Sequence, residues 1–239
     1  VAGAAGTQAA SFQSQMQNVG TLLDGDVQGK LQGMSKQLKQ VSIDTGAATS
    51  DLTDGLYQVV SAFGESAESV KQLEIAAKAA KAGNATTTDS VNMLSAVTKG
   101  YGDTSAAALQ KASDLAFLTV KLGQTSFPEL ASSMGQVVPL AATMKVSQEE
   151  LFGAMATLTG VTGGTAEVTT QLRATMQEFL SPSSQMEKAL KKMGYTSGAA
   201  ALESEGLGGI LTKLKESVKG DEVAFANLFS SIESKNAVL

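Results

Sequence analysis

The chain has 239 residues, enough to bury a large core in one big domain or two smaller ones. Apolar residues make up 43% and charged residues 17%, which excludes a disordered chain, and a net charge of −5 argues against a nucleic-acid-binding surface. With no His and no Cys, the chain lacks the commonest general base, thiolate chemistry, disulfides and most transition-metal ligand sets.

Residues 1–8 are rich in Gly and Ala and are expected to fray. Phe12, Met16 and Val19 then share one helical face. A polar loop over residues 21–29 follows, and Leu31, Met34, Leu38 and Val41 mark a second helix. Ser50, Thr88 and Ser126 fall 38 residues apart, each beside an acid or opening a helix. Leu56, Val59, Phe63 and Gly64 align with Leu94, Val97, Tyr101 and Gly102. Each unit reads as a helix, a glycine turn and a return helix, the returns ending near Gly83 and Gly123, where a C-terminal glycine is expected. Pro139 is expected to break or kink the third unit. The pattern leaves two arrangements open, a repeat-like stack of antiparallel helix pairs and an irregular bundle.

Two capping boxes are expected, Ser126 with Glu129 and Ser147 with Glu150, with Pro128 in the first turn of the earlier helix. Apolar stripes follow each: Leu130, Met134, Val137 and Val138, then Leu151, Met155 and Leu158. Gly163-Gly164 separates a helix carrying Val168, Leu172, Met176 and Phe179, and Ser181-Pro182 ends it before Met186, Leu190 and Met193. Asp221 is expected to cap a last helix with Phe225, Leu228, Phe229 and Ile232. The fold class is all-α, with no expected strand. The domain reading is 1–48 N-terminal helices, 49–194 helical core, 195–209 flexible linker and 210–239 C-terminal helix pair.

No residue set rises to a catalytic, cofactor or metal site. Asp24, Asp26, Gln28 and Gly29 resemble the start of a calcium loop, but Ser35 stands where the bidentate acid is needed, so a polar turn is the default. Glu149 and Glu150, and Glu203 with Glu205, are neighbouring acids that do not face one another on a helix. Lys188, Lys191 and Lys192 read as a solvated face, and the one arginine is Arg173. Gly206, Gly208 and Gly209 lack the preceding strand of a dinucleotide site. Gly160 and Gly164 fall in a turn, and the methionines fall on core faces.

The wording of residues 113–182, with LGQTSFPELASSMGQVVPLAATMKVSQEEL at its centre, closely resembles the core region of phage tail tape-measure proteins of long-tailed phages and prophages. SDLTDGLYQVVSAFG (50–64), EIAAKAAKAG (74–83), LSAVTKGYGDTS (94–105) and MEKALKKMGYTSGAAAL (186–202) resemble it too, as do the weaker flanks 12–25 and 228–239. The resemblance implies a non-enzymatic virion protein, held in the tail and assembled in the host cytoplasm. Its length would set tail length, tube protein would polymerise around it, and it would leave at DNA ejection. Implied partners are the tail tube protein, tail assembly chaperones and tail tip or baseplate proteins, with a homo-oligomer open. No cofactor is implied and no nucleic-acid binding is expected. Members of the family are usually longer, so this chain looks like an excised core. A continuous helix of this length would reach ~360 Å, yet the sequence breaks repeatedly, which puts the ruler in flanking segments. The alternative reading is a membrane-active or exported helical protein whose amphipathic helices become exposed on refolding.

Overall fold

Helix starts and glycine turns recur at short intervals, so the chain can build only short helices. The computed structural model describes residues 2–239, with side chains from residue 10 onward. Among these residues there are thirteen helices and no strand, so the fold is all-α. Two compact units divide it, Val1–Asp114 and Leu115–Leu239.

The first unit holds α1 (Ala2–Gly20), α2 (Val27–Thr45), α3 (Thr49–Phe63), α4 (Ser69–Gly83), α5 (Thr87–Gly100) and the start of α6 (Ala106–Leu122). The second holds the rest of α6, then α7 (Phe127–Thr143), α8 (Gln148–Thr162), α9 (Thr165–Leu180), α10 (Ser184–Lys192), α11 (Gly198–Ser217), α12 (Glu222–Ala226) and α13 (Ile232–Val238). The start expected to fray is helical from Ala2, and Val1 lies outside the described residues. The unit boundary does not coincide with borders at residues 48 and 194, because α2 packs on α3 and α4, and α11 packs on α8, α9 and α10.

α3, α5, α7 and α9 start at residues 49, 87, 127 and 165, intervals of 38, 40 and 38. In the first unit α3 packs on α1, α2, α4 and α5, and its Leu52, Leu56 and Val59 are fully buried. In the second, α9 is central and takes α7, α8, α11 and α13 around it. Phe127, Phe152, Phe179 and Phe229 are its largest fully buried side chains, and the ring of Phe117 stacks on Phe127 at 5.1 Å. The repeat also shows in hydrogen bonding. The third helical residue of α3, Asp51, accepts from the N–H and hydroxyl of Thr87, the first residue of α5. Glu129, at the same place in α7, accepts from the hydroxyl of Thr165, the first residue of α9, at 3.3 Å.

Several local expectations need correction. Ser50 and Thr88 lie inside the first turns of α3 and α5, and the caps are Ala48, which has no side chain to donate or accept, and Thr86, which accepts from the Asp89 N–H. The left-handed residue after α4 is Asn84 rather than Gly83. Pro139 lies within α7 and does not end it. The carbonyl it leaves without a helical donor belongs to Gly135, which is exposed to water. Residues 195–209 are no linker: Ser197 caps α11 by accepting from the Ala200 N–H, and Ala201 and Leu202 are buried. The helix expected beyond Asp221 is split, with α12 ending at Ala226 and α13 starting at Ile232 under a Ser231 cap.

Gly123 is needed for space. A Cβ there would run into the Thr159 hydroxyl and the Ala156 carbonyl on α8. Gly123→Ala is therefore expected to lower the unfolding free energy by about 1–3 kcal/mol, measured by urea titration. Gly135→Ala, whose Cβ would meet nothing within 4 Å, is the control and should leave stability unchanged or slightly raised.

Candidate functional site

The chemistry-bearing groups of the second unit gather around α9. Glu178 is almost fully buried at 5% exposure, on the face of α9 that α13 covers. Its Oε1 accepts from the Ser230 N–H at 2.7 Å, the Ser230 hydroxyl at 2.5 Å, the Ser231 N–H at 2.9 Å and the Ser234 hydroxyl at 3.2 Å. Its Oε2 is buried without a hydrogen-bond partner. Burial pushes the carboxyl upward, but the four serine donors outweigh it and hold the group below its ordinary range. Beside it runs a groove of about 430 Å³ lined by Arg173, Gln177, Ser230 and Glu233 among others. The groove offers one guanidinium and two carboxylates. The Ser230 hydroxyl donates to Glu178 there, and a carboxyl held below its ordinary range is a weak base for it.

A second cluster joins the loop after α10 to α11. Glu205 Oε1 accepts from the Tyr195 hydroxyl at 2.5 Å, and Glu205 Oε2 pairs with the Lys213 ammonium at 2.8 Å. The Lys213 ammonium also stands 5.9 Å from the Tyr195 ring centre. Bonds from Lys213 and Tyr195 hold the Glu205 carboxyl low, and Glu205 and Tyr195 hold the Lys213 ammonium high. Both groups are thereby kept charged, the opposite of what a general acid or a nucleophilic amine requires.

The sequence candidates scatter. Asp26 caps α2 by accepting from the Gly29 N–H at 3.0 Å, and the Asp24 carbonyl accepts from Lys30, which also pairs with Glu65 at 2.6 Å. An ammonium thus stands where a calcium loop would turn its oxygens. Among the described residues no group of three or more His, Cys, Asp or Glu comes together. Ser126 and Glu129 form the expected capping box. Ser147 accepts from the Glu150 N–H at 3.2 Å, but Glu150 does not reach back: its Oε1 accepts from the Gly208 N–H at 3.0 Å. Gly206, Gly208 and Gly209 lie in α11, whose backbone leaves the helical region at Gly206 with φ 71°. Lys191 pairs with Glu187 on an exposed face of α10. Glu203 is exposed and apart from Glu205's partners. Gly160 is in the last turn of α8 and Gly164 precedes α9. The buried methionines are core, as at Met134, Met155, Met176 and Met186. Reading the sequence missed Glu178, because its serine partners are 52 or more residues away. Glu178 shares its face with the buried Gln171 and Thr175, beside the apolar stripe and not on it, so no local pattern marked it.

Short helix pairs, helix starts tied by acids and clusters held fully charged define an all-α structural module. A family model described as phage-related minor tail protein matches residues 35–232, and the chain belongs to that family. No curated protein and no solved structure matches it. Membership makes this a phage tail component, with other tail proteins as its partners. Among the described residues no helix is long and apolar enough to cross a membrane.

The Glu178 cluster sets a pH dependence. Its carboxyl is lowered below the ordinary value of 4.5, so the stability it adds is complete above that value and is lost as pH falls through it toward the folded-state value. Glu178→Ala should cost about 1–3 kcal/mol at pH 7. In urea titrations followed by circular dichroism, the gap between wild type and variant should shrink from pH 5 to about pH 3. A gap that stayed constant would contradict an ionised Glu178.

Proposed function

We propose that this chain is the core segment of a tail tape-measure protein, a non-enzymatic virion component around which the tail tube assembles and which leaves at DNA ejection. The observation that carries it is the family match over residues 35–232, which spans the region whose wording resembles tape-measure cores. The fold supports the reading in a specific way. The helices have at most 20 residues, so none exceeds about 30 Å, against the ~360 Å that the same residues would reach as one helix. Length determination then belongs to other segments of the tape-measure chain, and this module supplies contacts to tube protein, assembly chaperones and tip or baseplate proteins. Assembly takes place in the host cytoplasm and the product resides in the tail. The acids and lysines held in their charged forms at Glu178, Glu205 and Lys213 support a packing role over acid–base chemistry.

The test is tail length. Inserting a helical segment beside this core in the encoding gene should lengthen tails by up to ~1.5 Å per residue, measured on negatively stained particles. Tails of unchanged length on particles shown by mass spectrometry to carry the insertion would reject the tape-measure role while leaving tail membership intact.

A further inference from the structure

The sequence from Asp221 onward is written as one helix, and the structure breaks it in two. Phe225, Leu228, Phe229 and Ile232 keep the three-and-four spacing of a single buried stripe across the break, with no Pro or Gly between Glu222 and Val238. The first three are buried at 5% exposure or less, while Ile232 is 72% exposed. The break is held from outside the segment. An unbroken helix would send the N–H groups of Ser230 and Ser231 to the carbonyls four residues back. Here both go to Glu178 Oε1, joined by the hydroxyls of Ser230 and Ser234. Ser231 is thereby extended, with φ −85° and ψ 156°, and caps α13 by accepting from the Ser234 N–H. Ser183 adds a tie, its hydroxyl donating to the Leu228 carbonyl at 2.6 Å. The break at Gly206 in α11 differs in kind. Its positive φ suits glycine, and a Cβ would come within 2.7 Å of Glu150 Oε1, so that bend is written into the sequence itself.

We propose that Glu178 is a latch on a two-form segment: bound to it, residues 222–238 are the bent pair α12 and α13, and released from it they form one continuous helix carrying the complete stripe Phe225, Leu228, Phe229 and Ile232. The same two amides serve both forms, to the carboxylate in one and to the helix carbonyls in the other, so the exchange leaves neither unpaired. The straight form brings the exposed Ile232 into line with the buried Phe225, Leu228 and Phe229. The inference rests on the geometry alone and holds whether or not the chain is a tape measure.

Backbone NMR on the whole chain tests it, because the Cα shift of Ser231 reports extended against helical backbone directly. The wild type should populate the straight form at about 0.1–10% and show relaxation dispersion at Phe229, Ser230 and Ile232. Glu178→Ala, which removes the acceptor, and Ser230→Ala, which leaves α9 untouched and removes one donor, should each raise that population about tenfold, moving the Ser231 Cα shift toward helical values. Ser231→Pro fits the observed φ but cannot continue a helix, so it should abolish the dispersion. Dispersion at Phe229, Ser230 and Ile232 that does not grow in either alanine variant, or Ser231 shifts that move to random-coil values, would overturn the latch, as would a wild type without dispersion.

Discussion

Short helices multiply the ends that must be satisfied, and the structure depends on how their first N–H groups are met. Each start leaves up to four donors without an intrahelical partner. With thirteen helices described, this is a larger demand than any single patch of core. The solution at α3 and α7 is an acid three residues in that bonds the first residue of the next helix but one, Asp51 to Thr87 and Glu129 to Thr165. Thr87 and Thr165 are both buried while Asp51 is half-buried and Glu129 exposed, so these part-buried bonds tie one helix pair to the next. At α5 the Asp51 carboxylate meets the Thr87 N–H itself, so satisfying a helix start and joining two helices are one interaction there, while at α9 the tie runs through the Thr165 hydroxyl.

The second unit applies the same device over longer range. Glu150 begins as a local partner of Ser147 and ends by holding the Gly208 N–H, the start of the second half of α11. Glu178 stands in the last turn of α9 and serves the start of α13. In both cases a carboxylate leaves its own helix's needs and serves the end of another. That is favourable because the donors lie at the positive end of a helix dipole, which suits a carboxylate acceptor.

What could be read from the sequence was whatever is written within one or two turns. The Ser126–Glu129 box, the Asp221 and Ser147 caps and most of the core stripes stand in the structure, with helix starts 38, 40 and 38 residues apart, because each depends on residues three, four or one repeat apart. The caps at Ala48 and Thr86 were displaced by two residues from Ser50 and Thr88, since a hydroxyl in the first turn looks locally like one just before it. The reading failed where a distant side chain overrode the local pattern. The apolar stripe through Phe229 and Ile232 is a sound helix signal, and only Glu178, some fifty residues upstream, breaks it. Residues 195–209 failed for the opposite reason. Their Gly, Ser and Ala content looks like a linker, yet Ser197, Ala201 and Leu202 act as a cap and a buried face. Glycine served close approach at Gly123 and a bend at Gly206, and composition alone does not separate either from flexibility.

The charge of the chain follows the same logic. First turns carry Asp51, Asp89, Glu129, Glu149, Glu150, Glu167, Glu187, Glu222 and Glu233, while last turns carry Lys81, Lys99, Lys121, Lys191, Lys192, Lys215 and Lys235. These stand at the helix end whose dipole favours them, against Lys30 and Lys71 in first turns and Asp44, Glu178 and Glu216 in last turns. A net charge of −5 therefore arises from many starts and ends rather than from one acidic surface. A protein whose charges are spread in this way has little field with which to steer a partner from a distance. Contact with other tail proteins must then come from shape and apolar faces at close range, and the segment best placed to change such a face is the one whose helix break is held by a single carboxylate.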